Sequence, residues 1–131
     1  MRQLLYISTG RPGVAAEVPA IVGASLRNNR REGVTGLLWT DTQRFLQVLE
    51  GEDAAVHGVF DRIKRDPRHL GIVVLHDRAV EAREFGAWAM AQRGPLDSAD
   101  TFDARMKQCL AGASPSVRGT FEGLIAARRA A

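Results

Sequence analysis

A single cysteine, Cys109, in 131 residues excludes an intramolecular disulfide framework and any cysteine-rich metal site. Burial and hydrogen bonding must hold the fold together. The expected setting is reducing and cytoplasmic, with Cys109 as a core thiol. No apolar run approaches the ~18 to 20 residues of a membrane span, and the residues after Met1 lead into strand-like sequence without a signal-peptide pattern. His57, His69 and His76 lack metal-ligand spacing, no nucleophile with base and orienter is visible, and no Gly-rich anion loop leads a helix. These absences disfavour an enzyme. The formal charge of +3, from 18 basic and 15 acidic residues, is too mild to indicate nucleic acid, and no membrane association is expected.

The residues present describe one domain. Leu4 to Ser8 alternates as a strand, and Gly10-Arg-Pro-Gly13 breaks it before Val18, Ile21, Val22, Ser25 and Asn29 recur at helical spacing. This first helix should end near Arg31 to Gly33. Val34 to Thr40 and Arg44 to Glu50 form a hairpin around Asp41-Thr-Gln43. Asp53 reads as the N-cap of a helix that presents Val56, Val59, Phe60 and Ile63 on one face and stops at Asp66-Pro67. Two further strands are expected at Leu70 to His76 and Phe85 to Met90. Arginine clusters at Arg27, Arg30, Arg31 and at Arg62, Lys64, Arg65, Arg68 fall at helix C-termini, where cations favour the helix dipole.

The order βαββαββ predicts an α+β, ferredoxin-like sandwich with a five-stranded mixed sheet and two helices on one face. In the hairpin, Phe45, Gln47 and Leu49 point to one side and Leu46 and Val48 to the other, so both faces are apolar. A C-terminal helical pair, with Phe102, Met106, Cys109 and Leu110 on one member and Val117, Phe121, Leu124 and Ile125 on the other, is expected to cover the second face. Ser114-Pro115 supplies the N-cap and N1 of the last helix.

Three polar residues interrupt the stripes that face the first two helices. Gln47 sits between Phe45 and Leu49, Tyr6, the only tyrosine, sits mid-strand beside Leu4, and Asn29 extends the inward line of Val18, Val22 and Ser25. An unpaired buried amide costs on the order of 1 to 3 kcal/mol, so these side chains need partners. Either Asn29 lies exposed beyond the sheet edge, or it meets a flat polar ligand buried in the domain.

The residues that carry a resemblance are Tyr6 in LLYIS, Ser25-Leu-Arg-Asn-Asn29, GVTGLL from Gly33, FLQVLEG from Phe45, DPRH from Asp66 and WAM from Trp88. Over about residues 2 to 92 this sequence resembles the BLUF domain, the flavin-based blue-light sensor. The resemblance implies FAD bound noncovalently, with its ring directed toward Gln47 and Tyr6. It also implies that Asn29 bonds the pyrimidine edge, that Ser25 and Asn28 line the same helix, and that Arg65, Arg68 and His69 close the pocket. Tyr6 would give an electron and a proton to the excited flavin through Gln47, whose altered amide then changes the hydrogen bonding and shifts absorption to the red. Trp88 and Met90 would relay the change to the C-terminal helices, although Trp88 also suits ordinary packing at the sheet's end.

Leu26 stands where the family often has Arg, and Trp39 where Tyr is common. Trp39 is therefore a potential second electron donor. The expected division is a sensor domain over 1–93 and a C-terminal output segment over 94–131, in a stand-alone sensor that signals to a separate protein and self-associates. The competing reading is a flavin-free ferredoxin-like module that binds single-stranded RNA on an open sheet face, where Leu46 and Val48 would stack poorly.

Overall fold

A computed structural model describes residues 1–13, 17–40, 43–86, 88–92, 104, 107–108 and 110–130; at 18, 22, 88–92 and 127–130 the description is of the backbone alone. The elements run β1 (Arg2–Gly10), α1 (Val18–Glu32), β2 (Thr35–Thr40), β3 (Arg44–Gly51), α2 (Asp53–Arg65), β4 (His69–Ala79), β5 (Trp88–Gln92) and α3 (Pro115–Ala130). The sheet order is β4-β1-β3-β2-β5, antiparallel except where β5 runs parallel to β2. The central strand β3 and its inner neighbour β1 are each flanked on both sides, and they carry Gln47 and Tyr6.

Local chemistry fixes the entry into this sheet. Gly33 takes a left-handed conformation (φ 69°) past the end of α1, where the Gly33 N–H donates to Arg30 O and the Val34 N–H donates to Asn29 O at 2.9 Å. This paired closure satisfies the last helical carbonyls and turns the chain directly into β2. Two residues later, Gly36 lies against β3 so closely that a Cβ would stand 1.9 Å from Val48 O. Glycine is therefore required there by the approach of two backbones.

Strand alternation divides the core in two. Leu4, Tyr6, Val34 and Leu49 pack with Val56, Val59 and Phe60 of α2 on one face, and Leu5, Leu37, Trp39, Leu46 and Val48 pack with Val117 and Phe121 of α3 on the other. Leu46 and Val48 are fully buried by this second layer, so the open face that RNA stacking requires is covered. Phe102, Met106 and Cys109, the expected face of the other C-terminal helix, lie outside the described residues. Leu110 and Ala113 bury against the same cluster as α3.

Strands β1 and β4 run longer at both ends than expected, and two other boundaries move for a visible reason. Asp53 is the first residue of α2, not its cap; Glu52 holds the cap position with extended backbone and no side-chain bond, so Asp53 acts through its charge in the first turn. The last strand starts at Trp88 rather than Phe85, because the amides of Glu84 and Phe85 donate to the Glu50 carboxylate instead of joining a ladder. Among the described residues no helix is long and apolar enough to cross a membrane.

Gly36→Ala should cost about 3 kcal/mol or more in chemical denaturation, since overpacking here meets backbone rather than a movable side chain. Gly119→Ala, at an exposed position of α3 with open space around it, should instead stabilise by roughly 0.5 to 1 kcal/mol.

Candidate functional site

Between α1 and α2, above the middle of β3, lies a cleft of about 470 Å³, the open solvent at its mouth included. Its floor is Gln47. Ile21, Ala24, Ser25, Asn28 and Asn29 line it from α1, Val59, Arg62 and Ile63 from α2, and Asp66, Arg68 and His69 from the turn into β4. Helical spacing brings the α1 residues together, since positions 21, 24, 25, 28 and 29 fall on one face.

Tyr6 and Gln47 are direct partners in the β1–β3 ladder, and Tyr6 Oη donates to Gln47 Oε1 at 2.5 Å. Both side chains are buried. Burial, reinforced by the nearby Asp66 charge, pushes the Tyr6 phenol well above its ordinary pKa and keeps its proton in place. The tyrosine ring is fixed by Phe60, with centroids 5.4 Å apart.

The bond from Tyr6 leaves Gln47 Nε2 without a protein partner. Asn29 Nδ2 and Oδ1 are likewise buried and unpartnered, and Asn29 is only 1% exposed. The alternative of an exposed Asn29 beyond the sheet edge is therefore excluded. Two donor groups and an acceptor converge on one cleft, and the protein does not satisfy them. Buried amides in that condition suit a ligand that presents alternating acceptors and a donor along one edge, which is the pattern of a flavin's pyrimidine ring.

The rim is charged yet internally paired. Arg68 forms a two-pronged bond to Asp66, Nε to Oδ1 at 2.9 Å and Nη2 to Oδ2 at 2.6 Å, which lowers the Asp66 pKa and raises that of Arg68. Arg62 pairs with Glu32 of α1 at 2.6 Å. His69 Nδ1 shares a 2.8 Å hydrogen bond with Ser8 Oγ and its ring meets Phe45 edge-on at 4.8 Å. Burial holds the His69 pKa below its usual value, with Asp66 opposing the shift.

Of the residues singled out in the sequence, Ser25, Asn28, Asn29, Gln47, Arg68 and His69 line the cleft and Tyr6 contacts Gln47 from the neighbouring strand. Arg65 is exposed and does not line it, because it points away from the side of α2 that carries Val59 and Ile63. Arg62 lines it instead; its spacing of three from Val59 is the signal that would have found it. Asp66, read from sequence only as a helix stop, anchors Arg68. The side chains of Trp88 and Met90 lie outside the described residues; their backbones register with Gly36 and Leu38 of β2. Trp39 packs on the α3 face, on the opposite side of the sheet from the cleft, so it shares no surface with Tyr6. Leu26 does not line the cleft.

The structure is thus a three-layer α+β module with a tyrosine–glutamine pair beneath a cleft of unpartnered amides. Residues 1–91 match the sequence profile for BLUF, "Sensors of blue-light using FAD". The photoactivated adenylate cyclase subunit beta of Euglena gracilis is 34% identical over 110 residues, covering 79% of this chain and 12% of that protein. The blue light- and temperature-regulated antirepressor BluF of Escherichia coli (strain K12) is 35% identical over 74 residues, 56% of this chain and 18% of that protein. The solved dark-state structure of BlrB, a BLUF protein, has a TM-score of 0.70 at 28% identity and covers 97% of this chain and 96% of its own. The chain belongs to the BLUF family of flavin-based blue-light sensors. It spans only 9 to 13% of the length of the photoactivated adenylate cyclase subunits it matches, and the matched module is of a sensor family.

Asn29→Leu should remove two orphaned polar atoms. Flavin-free protein should gain on the order of 1 kcal/mol in thermal unfolding while flavin retention on gel filtration falls. The His69 shift also fixes a pH dependence. Below about pH 6.5 the unfolded chain takes up a proton that native His69 resists, so stability falls as pH falls. His69→Gln should flatten the decline in melting temperature between pH 7 and 5, leaving the part due to His76, whose pKa burial also lowers.

Proposed function

We propose that this protein is a blue-light photoreceptor that binds FAD noncovalently in the α1–α2 cleft and reports illumination by rearranging the hydrogen bonds around Gln47. The observation that carries this reading is the 2.5 Å bond from Tyr6 Oη to Gln47 Oε1, which leaves Gln47 Nε2 as a spare donor at the cleft floor. Asn29 supplies an acceptor for the ring's imide N–H and a donor for a neighbouring carbonyl. Ser25 and Asn28 flank it on α1, and Arg68 and His69 close the opposite side.

When bound, the flavin supplies blue-light absorption and, once excited, the capacity to accept an electron. Tyr6 is the electron source, and its proton, held on Oη in the dark, leaves along the existing bond to Gln47. Gln47 relays the proton and re-seats its amide, so that its donor and acceptor point differently when electron and proton return to Tyr6. Atoms and electrons balance over the cycle. Only hydrogen bonding has changed, so absorption shifts modestly to the red and the dark arrangement returns thermally.

Residues 1–93 constitute the sensor and 94–131 the output segment in this reading. Trp88 and Met90 pass the change outward, and the signal reaches a separate downstream protein in the cytoplasm. Leu70, Val73, Val74 and Leu75 are exposed along the edge strand β4, which supports self-association.

The first experiment is an absorption spectrum of purified protein in darkness and after blue light. A flavin spectrum that shifts red and recovers is expected; a protein that is colourless and refuses added FAD would overturn the reading. Tyr6→Phe and Gln47→Leu should each retain flavin and lose the red-shifted state. Trp88→Ala should change recovery more than the initial shift. Chromatography of the cofactor released by acid should give FAD rather than FMN.

A further inference from the structure

On the α3 face of the sheet, three rungs from Tyr6 and Gln47, lies a polar row that the photochemistry does not use. Arg78 of β4, Gln3 of β1, Glu50 of β3 and Thr35 of β2 are consecutive ladder partners. Gln3 and Glu50 are fully buried. Polar side chains in a core position beside the Leu5–Val48 rung need a reason, since an apolar pair would pack there without desolvation cost.

Every hydrogen-bonding position of the Gln3 amide is used. Nε2 donates to Glu50 Oε2 at 2.8 Å and to Glu84 Oε2, while Oε1 accepts from His76 Nε2 and Arg78 Nε, each at 2.9 Å. Glu50 in turn accepts from the backbone amides of Phe85 at 2.6 Å and Glu84 at 3.0 Å. Glu84 Oε1 accepts from the Ser114 amide at 2.9 Å, and Arg78 Nη2 donates to Ser114 Oγ at 3.1 Å. Ser114 then caps α3, its Oγ accepting from the Val117 amide, and Val117 is fully buried against the sheet. One continuous network therefore joins β1 and β3 to the first turn of α3.

The same two strands carry both clusters. Gln3 and Tyr6 lie three residues apart on β1, as do Glu50 and Gln47 on β3, so the two rungs are separated by about 10 Å and face opposite layers. The β1–β3 ladder is unbroken from Arg2 to Thr9, whereas the β1–β4 ladder shifts register between Leu5 and Tyr6. From the Tyr6–Gln47 rung to the Gln3–Glu50 rung, β1–β3 thus offers a continuous ladder, whereas the β1–β4 ladder is interrupted on the way.

We propose that the Gln3–Glu50–Glu84 cluster is a latch that docks the N-terminus of α3 and carries the state of the Tyr6–Gln47 rung through the sheet to that helix. The proposal rests on the photoreceptor reading above. It makes Gln3 and Glu84 positioning residues for output, acting through Ser114, and places a transmission route in the central ribbon, apart from β5.

The test uses flavin-loaded full-length protein and two readouts, the red shift and amide hydrogen exchange of α3 in darkness and under blue light. Gln3→Met and Glu84→Gln preserve side-chain volume and lie outside the cleft. In the parent protein α3 exchange should differ between darkness and light. In both variants the red shift should persist, α3 should exchange about tenfold faster in darkness, and the light–dark difference should vanish. A parent protein that shifts red with no light–dark difference in α3 would overturn the latch and leave the photoreceptor standing, as would variants that keep the parent's difference. A parent protein without the red shift overturns the photoreceptor reading, and the coupling with it.

Discussion

The hydrogen bond between Tyr6 and Gln47 organises this protein because it is made between two adjacent inner strands, with both side chains buried. A phenol and an amide buried together commit each other: one donor and one acceptor are satisfied, and the second half of the amide is directed to the cleft. Around that bond the fold supplies rigidity rather than chemistry. Phe60 fixes the tyrosine ring, the Gly36 approach pins β2 to β3, and the closure at Gly33 ends α1 so that Asn29 faces inward. Three of the five buried side-chain polar atoms without a partner among the described residues, Gln47 Nε2 and both amide atoms of Asn29, belong to the cleft.

The division between faces explains why so small a domain devotes residues to both sides of its sheet. The cleft face holds the unpartnered amides, and the other face holds α3 on an apolar cluster bordered by the Gln3–Glu50 row. A sheet is stiff enough to keep the two apart and thin enough that one strand's residues serve both. Arg83 reinforces the junction by donating to Thr35 Oγ1, Glu50 O and Gly33 O, which ties the 81–86 segment to the ends of β2 and β3 and to the end of α1.

Much of this was legible in the sequence. Period-two and helical patterns fixed the order of elements, and the polar interruptions at Tyr6, Asn29 and Gln47 marked the cleft, because buried polarity is conspicuous against an apolar stripe. What escaped the pattern was set by contacts distant in sequence. Arg62 and Arg65 look alike as members of a basic run, and only the roll of α2 separates them. Phe85 looked like a strand residue because it is apolar and β-prone, yet its amide is taken by Glu50, thirty-five positions earlier. Glu50 itself read as the polar end of a hairpin, and its partners became visible only when three strands and the start of α3 were brought together.

The exposed edge of the sheet imposes a burden unrelated to light. β4 offers a run from Val73 to Leu75 whose outer backbone groups have no strand beside them among the described residues, and the side chains there are about half exposed. Such an edge can template the addition of another extended chain. The charged residues on either side, Arg68 before it and Asp77 and Arg78 after it, are then gatekeepers in addition to their roles in the rim and the network. A substitution that neutralised them could spare the photochemistry and still shorten the lifetime of the protein in a crowded solution, by letting one sheet grow onto the next.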